Sequence, residues 1–233
     1  MNKIVIAVCV GALLVPAATA LGQIKQSKGT YLLRMKFTAG KVRKYTVSSK
    51  VSGLPVSAVT GPNGVTSFGG PFIETVKSLS GKTATVTFEI GPFSINGQNM
   101  HTGAEAQKTT VQIDELGNVV GQASASFFGV HYPKAPVMIG GTWSSLMALP
   151  ATVGGSGESE YTFKFNGVKT VGKQKVGDIS LNMQPTGMVT SGVGKALVSA
   201  ADGSLVKMSM NLSLANPQGS GELKVAILIQ AAK

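Results

Sequence analysis

The stretch Val206-Lys207-Met208-Ser209-Met210-Asn211-Leu212-Ser213-Leu214 alternates apolar and polar side chains without an exception. This is the period of a β-strand, in which successive side chains point to opposite faces, so one face is buried and the other is wet. Turn-forming residues precede the stretch at 201–204 and follow it at 216–219. Apolar side chains then return at every second position from 223 to 229. The pattern predicts two antiparallel strands that share a buried face.

The same alternation recurs along most of the chain. It predicts further strands at residues 31–37, 42–51, 72–79, 83–90, 109–113, 158–165, 168–175, 179–183 and 192–200. The dipeptide Asn166-Gly167 is typical of two-residue hairpins, so it predicts a turn between two of these strands. Residues 53–71 contain five glycines and three prolines, and are predicted to form a long surface loop.

These segments predict an all-β protein of about twelve antiparallel strands. Beyond residue 22, no segment of ten or more residues has the period of a helix. Glycines inside the predicted strands favour bulges and curvature, so we expect one strongly curved sheet or half-barrel. A two-sheet β-sandwich is the alternative, because both arrangements manage the exposed sheet edges.

Two kinds of segment define the expected domain organisation. Residues 1–22 have a short basic start, an apolar run from 4 to 15 and the small-residue site Ala18-Thr19-Ala20, as in a secretory signal peptide. Residues 23–233 are expected to form a single β-rich domain. The order of strands and turns is similar in residues 31–121 and 158–231, which are either two pseudo-repeats or ordinary stretches of one meander.

The signal segment predicts that the protein is exported, to the periplasm or to the outside of the cell. Cys9 is the only cysteine and lies in this segment, so the mature chain is expected to have no disulfide and no cysteine ligand. No later stretch approaches the roughly 18 apolar residues of a transmembrane helix. Without Lys3 the chain has 20 basic and 10 acidic residues. That balance favours solvated faces or attraction to anionic envelope surfaces, and the scattered lysines argue against nucleic acid.

The sequence contains little that predicts catalysis. His101 and His131 are its only histidines, and neither has a partner at metal-ligand spacing. Nucleophile-elbow and phosphate-loop motifs are absent. The acidic residues do not suggest a pair that converges across a cleft. We therefore expect no enzyme activity, no cofactor and no bound metal.

The least regular segment is the most site-like one. Residues 124–143 lose the alternation and are apolar, aromatic and bounded by prolines. We expect the rim of a binding surface here, formed by these residues: Phe127, Phe128, His131, Tyr132 and Trp143. The glycine-rich loop at 53–71 is expected to contribute to the same rim.

The spacing of Pro133, Pro136 and Gly140-Gly141-Thr142-Trp143, followed by a tyrosine-bearing strand and an Asp-Gly hairpin, resembles an uncharacterised group of exported bacterial all-β proteins. More distantly, the chain resembles half-barrel periplasmic lipoprotein carriers, which hold acyl chains in an apolar concavity. The resemblance to the carriers implies a lipid or another apolar ligand. The chain differs from them because it lacks obvious lid helices.

Two hypotheses about function follow. In the first, an exported, non-enzymatic β-protein binds a hydrophobic ligand or the cell envelope, and methionines in clean strands, such as Met208 and Met210, supply an adaptable apolar surface. In the second, a basic surface or structural protein associates with anionic envelope material or with a partner protein. They differ in whether the buried face of the sheet lines a cavity or packs a solid core.

Overall fold

The structure is a computed structural model. It describes residues 24–53, 65–92, 94–99, 107–121, 130–148, 158–186, 189–215 and 221–232. This part of the chain consists of strands, turns and extended segments and contains no helix. It accordingly contains no helix that is long and apolar enough to cross a membrane. The predicted signal peptide lies outside the described residues.

Fourteen strands are described. They are β1 (Lys25–Ser27), β2 (Thr30–Leu32), β3 (Val42–Ser52), β4 (Val65–Ser80), β5 (Thr83–Ile90), β6 (Ser94–Ile95), β7 (Gln98–Asn99), β8 (Gln107–Asp114), β9 (Thr142–Ala148), β10 (Glu158–Val171), β11 (Gln174–Met183), β12 (Val189–Ser199), β13 (Leu205–Ala215) and β14 (Glu222–Ala231). β1 and β2 form a small hairpin of their own.

The other twelve strands form one antiparallel sheet. Its main path runs β7-β6-β4-β3-β14-β13-β12-β11-β10-β9, and β5 pairs with both β4 and β8. The pairing of β14 with β3 joins the C-terminal meander to the N-terminal strands. Among the described residues β9 pairs only with β10, so the sheet is not closed into a barrel. The all-β prediction of about twelve antiparallel strands is confirmed, and the alternative of two stacked sheets is not what forms.

The strand predicted at residues 206–214 is β13, which lies near the middle of this sheet. β13 buries Met208, Met210, Leu212 and Leu214 and directs the polar residues between them outward. Its partner β14 buries the alternate residues from 225 to 229 in register with them. The predicted pair of strands and its shared buried face are therefore confirmed.

A small cavity in the core shows that the sheet is curved. Phe72 on β4 and Val198 on β12 both line a cavity of about 30 Å³, although these strands are four steps apart along the sheet. In a flat sheet four steps would separate them by about 19 Å. The inner face of the sheet is therefore concave. Gly192 and Gly194 lie between larger inner-face residues, where a Cβ would meet Leu212 or Met210, and their lack of a side chain permits this close approach.

A second, smaller cluster lies where β4, β5 and β8 meet. It consists of Val76, Ala84, Val86 and Ile113. Phe88 packs against both clusters and stacks on Phe72 with ring centroids 5.4 Å apart. The two parts of the core are thus joined through this phenylalanine.

Residues 24–38, which begin with the β1–β2 hairpin, and the extended segment 130–137 cover one end of the curved sheet. Leu33, from the first, is fully buried in the main cluster. The backbone amides of Met35 and Lys36 donate to Glu115 O and Asp202 O at 2.8 Å each. The alternation at 31–37 predicted a strand here, but β2 ends at Leu32. The side chains of residues 31–37 do alternate, but beyond Leu32 the backbone bonds to turns instead of to a neighbouring strand. We call residues 24–38 the strap.

Two other sequence predictions are wrong. Asn166-Gly167 does not form a hairpin, because β10 continues to Val171 with an irregularity between Phe165 and Gly167. The Asn166 side chain donates from this bulge to Ser180 Oγ at 2.8 Å. In the glycine-rich stretch 53–71, residues 65–71 belong to β4 and pair with β3. The remainder of that predicted loop, 54–64, lies outside the described residues.

Candidate functional site

Of the five residues that were predicted to form a rim, the structure describes three. Phe127 and Phe128 lie outside the described residues. His131 and Tyr132 are buried, with 2% and 5% of their surface exposed. Trp143 lies on the edge strand β9 and is half-buried. His131 and Trp143 are in contact, whereas Tyr132 bonds elsewhere.

His131 and Trp143 fasten the segment 130–133 to the sheet. The indole Nε1 of Trp143 donates to the carbonyl oxygen of His131 at 2.6 Å, and the ring stacks on Phe163 at 5.4 Å. Ser145 Oγ lies 3.0 Å from His131 Nδ1. Among the described residues no cluster of three or more histidine, cysteine, aspartate or glutamate side chains could hold a metal ion. The contacts of His131, Trp143 and Ser145 position the backbone of residues 130–133 and pack the core.

Beside them, Tyr161 is fully buried on the inner face of β10. Its hydroxyl group has no hydrogen-bond partner in the part of the chain that the structure describes. Burial raises the pKa of Tyr161 to about 12, so the hydroxyl stays protonated at neutral pH.

The interior also contains an ionic cluster, at the end of the sheet that the strap covers. Arg43 bonds to Glu74, and its second nitrogen lies 3.3 Å from Asp202. Lys41 approaches the same Asp202 oxygen at 2.7 Å. Burial opposes ionisation of Asp202, but hydrogen bonds from Lys41 and Ser204, with the charge of Arg43, hold the pKa of its carboxyl group well below its usual range. The cluster has the character of a buried structural network.

Tyrosines extend this network into the core. The Tyr45 hydroxyl lies 3.5 Å from Glu74, and burial together with Glu74 raises the pKa of Tyr45. The Tyr132 hydroxyl donates to the carbonyl oxygen of Gly203 at 2.6 Å, and burial raises its pKa as well. The predicted rim residue Tyr132 therefore ties the segment 130–133 to the turn at 201–204.

The inner face of the sheet is largely filled. Next to Tyr45 and Glu74 lies a cavity of about 30 Å³, lined also by Phe72, Val198 and Ile229. Pockets for small organic ligands usually measure about 300–1,000 Å³, so this cavity is far too small for such a ligand. The buried inner-face side chains around it pack as a core.

The outer face is basic. On β3 and on β10 to β14, seven lysines occupy the outward positions: Lys44, Lys50, Lys164, Lys169, Lys195, Lys207 and Lys224. Asp178 pairs with two of them, Lys169 at 2.6 Å and Lys195 at 3.1 Å. Burial opposes its ionisation, but hydrogen bonds from these lysines and Asn166 lower the pKa of Asp178. The other five lysines have no carboxylate within ion-pair distance among the described residues.

A groove of about 450 Å³ crosses this outer face. Its polar lining consists of Lys50, Ser52, Ser191, Asn211, Ser213 and Lys224. Lys50 pairs with Ala226 and Lys224 with Ser52, so the two lysines are diagonal neighbours on adjacent strands, about 7–8 Å apart at their Cα atoms. Glu222 lies on the same strand and bonds to Thr190 at 3.2 Å, but it does not line the groove. The other lining residues are apolar, and most of the exposed lining surface is theirs: Val65, Val193, Leu212, Val225 and Ala226. The groove therefore combines two lysines and several hydroxyl and amide groups with a largely apolar floor.

Sequence reasoning missed this groove. Lys50 and Lys224 each occupy an outward position of an alternating strand, which the sequence does indicate. Their proximity depends on the pairing of β3 with β14, which joins residues more than 170 positions apart. No local pattern encodes that pairing.

Comparisons with known proteins add little. No known family profile matches the chain, and a search of curated proteins finds no match. Among solved structures the chain is similar to Rv2717c from M. tuberculosis, with 12% identity over 81% of this chain and 91% of that chain and a TM-score of 0.30. A likeness this weak carries no argument about function. The resemblance to exported β-proteins and to lipoprotein carriers is not shown by these comparisons and stays a prediction.

Proposed function

We propose that the protein is an exported, non-enzymatic β-protein that associates with anionic envelope material through the groove on its outer face. The observation that carries the proposal is the pair Lys50 and Lys224, whose ammonium groups have no carboxylate within ion-pair distance among the described residues. Like charges on adjacent strands repel each other. A bound anion would relieve that repulsion.

The lining of the groove indicates the chemistry of the partner. Lysine binds phosphate and carboxylate groups as a compact point charge. The neighbouring serines and Asn211 can both donate and accept hydrogen bonds. The polar part of the lining suits a polymer that carries phosphate or carboxylate groups as well as free hydroxyl groups. The other outward lysines would attract such a polymer over a distance of about a Debye length, roughly 8 Å at physiological salt.

The filled interior favours this proposal over the carriage of an apolar ligand. A cavity of about 30 Å³ cannot hold an acyl chain, whereas the groove is about fifteen times larger and open. Native mass spectrometry of the purified protein checks this preference. We expect the mass of the polypeptide alone, and a co-purifying lipid would favour the carrier hypothesis.

Cell fractionation and rebinding test the proposal itself. The protein is expected in the envelope fraction of its source cells and should be released by stepwise increases in salt. The purified double variant Lys50→Glu/Lys224→Glu should rebind that fraction much more weakly, by about 1 kcal/mol or more for each reversed charge. The matched control Lys44→Glu/Lys207→Glu makes the same change in net charge outside the groove.

The control variant distinguishes specific binding at the groove from a general effect of the protein's positive charge. We expect the control variant to rebind nearly as well as the unmodified protein. Equal losses in both variants would reduce the proposal to nonspecific attraction. Retention in the cytoplasm, or binding that high salt does not weaken, would refute the proposal.

A further inference from the structure

Three segments meet at one corner of the sheet, and we call residues 24–32, 130–141 and 164–175 together the lysine corner. Tyr31 and Val137 exchange backbone hydrogen bonds of 2.7 and 2.9 Å. Phe165 bonds to Gly140 and Gly141 at 2.7 and 3.0 Å, and its ring lies 5.0 Å from that of Tyr31. The three segments are therefore neighbours in the fold.

The charged residues of these segments are all of one sign. Its three segments contain no aspartate or glutamate. They contain seven lysines: Lys25, Lys28, Lys134, Lys164, Lys169, Lys173 and Lys175. All but Lys25 are exposed, and only Lys169 has a carboxylate partner, Asp178, among the described residues. The corner is therefore strongly basic.

Large apolar side chains project from the same corner. Met138 and Ile139 are 65% and 59% exposed, and they belong to a tight turn closed by the Gly141 amide, which donates to Met138 O at 3.0 Å. The Ile139 side chain lies against Gly167, next to the exposed Val168. Backbone hydrogen bonds hold the turn on both sides, between Val137 and Tyr31 and between Phe165 and both Gly140 and Gly141. The exposed apolar side chains of the turn are therefore fixed in position.

We propose that the lysine corner docks the protein on the surface of an anionic lipid bilayer, with Met138 and Ile139 entering the headgroup region. The inference rests on the proposed association with the envelope and adds a second contact, distinct from the groove, with lipid as its partner. Lysines are drawn to anionic headgroups, and exposed aliphatic side chains gain free energy when they leave water for the acyl boundary. Charge and apolar surface act together at the corner.

A protein partner fits this corner less well. Protein interfaces are depleted in lysine and enriched in aromatic residues and arginine. The corner instead exposes six lysines, uncharged polar residues such as Gln26, Thr170 and Gln174, and aliphatic residues, and none of its exposed residues is aromatic or an arginine. The exposed apolar part consists of a few side chains around one turn, which is small beside the roughly 800 Å² per partner of a stable complex. A soft, charged lipid surface requires neither size nor shape complementarity.

Vesicle co-sedimentation tests the inference. The full mature protein should sediment with phosphatidylcholine vesicles that contain about one third phosphatidylglycerol, and not with pure phosphatidylcholine vesicles. The variant Met138→Ser/Ile139→Ser should bind about tenfold more weakly. The matched control Leu79→Ser/Val120→Ser removes two other exposed apolar side chains, 48% and 50% exposed, which belong to none of the three segments of the corner, and should bind normally. Neutralising Lys134 and Lys173 to glutamine should also weaken binding.

A second measurement does not depend on loss of binding. Met138→Trp should show a blue shift of tryptophan emission when phosphatidylglycerol vesicles are added, whereas the protein with Trp143 alone should not. No dependence on phosphatidylglycerol, no blue shift in Met138→Trp, or equal binding by the two serine variants would each overturn the inference. Because the groove variants are assayed on envelope fractions and the corner variants on vesicles, either proposal can fail while the other stands.

Discussion

At the residue scale, Gly203 shows how closely the strap approaches the turn at 201–204. Its φ is +68°, and a Cβ there would overlap the carbonyl oxygen of Arg34. Gly172 has a similar φ of +59° but nothing within 4 Å of its Cβ position. Gly172→Ala should therefore cost only the left-handed backbone penalty, about 1–2 kcal/mol. Gly203→Ala should cost several kcal/mol more, because the strap must move.

Urea unfolding followed by Trp143 fluorescence measures both variants. The difference between the two losses of unfolding free energy measures the effect of the close approach, because both glycines share the same backbone conformation. Equal losses of unfolding free energy would show that the strap does not press on Gly203.

Asp202 makes stability depend on pH. Its carboxyl pKa is lower in the folded protein than in the unfolded chain, where it is about 3.9. The unfolded state therefore binds a proton first as the pH falls, so the stabilisation is present above about pH 4 and is lost below it. Asp202→Asn keeps an acceptor for Ser204 but removes the charge. We expect this variant to be less stable than the unmodified protein at pH 7, and the difference in unfolding free energy to be smaller at pH 3.

Urea titrations at several pH values provide the measurement. The quantity to follow is the difference in unfolding free energy between the two proteins. A difference that stays constant from pH 7 to pH 3 would contradict the role assigned to the Asp202 charge.

At the scale of elements, periodic strands could be predicted from the sequence, and their interruptions could not. Residues 83–90 alternate cleanly, and β5 has those bounds. Asn166-Gly167 favours a hairpin locally, but the strand continues through it because β11 supplies partners on the far side of the bulge. The strap has the side-chain alternation of a strand, yet its backbone bonds to turns that only the folded sheet brings near. Tertiary contacts decide both cases.

The two candidate sites also combine features that the sequence indicates with features that only the fold creates. The outward position of Lys224 follows from alternation in β14, and the exposed Met138-Ile139 turn could be suspected from its glycines and prolines. The partners of each come from distant parts of the chain: β3 for the groove, and the strap and β10 for the corner. Sequence patterns indicate which side chains point outward, while the pairing of distant strands decides which of them meet.

The strap is expected to be a structural part of the core rather than a loose tail. Leu33 is fully buried in the main cluster, whereas its neighbour Leu32 is only half-buried. Leu33→Ala should lower the unfolding free energy by about 2–5 kcal/mol. Leu32→Ala, the matched control, should cost clearly less. Chemical denaturation compares the two, and similar small losses would mean that the sheet is stable without the strap.

At the scale of the whole molecule, cooperativity depends on how the two core clusters are joined. The main cluster extends from β4 to β10, and the smaller one lies under β4, β5 and β8. Phe88 packs against both and stacks on Phe72. Because it bridges them, the unmodified protein should unfold in one transition, with far-UV circular dichroism and Trp143 fluorescence coinciding.

Phe88→Ala should separate the two clusters. Its loss of stability, about 3–5 kcal/mol, should be accompanied by a lower denaturant dependence and by circular dichroism that changes before Trp143 fluorescence, because Trp143 packs only against the main cluster. Val111→Ala, which alters the smaller cluster alone, should destabilise the protein while the two signals remain closer together. Coincident transitions in Phe88→Ala would mean that the continuous β4 backbone, rather than the aromatic contact, transmits unfolding between the two parts of the core.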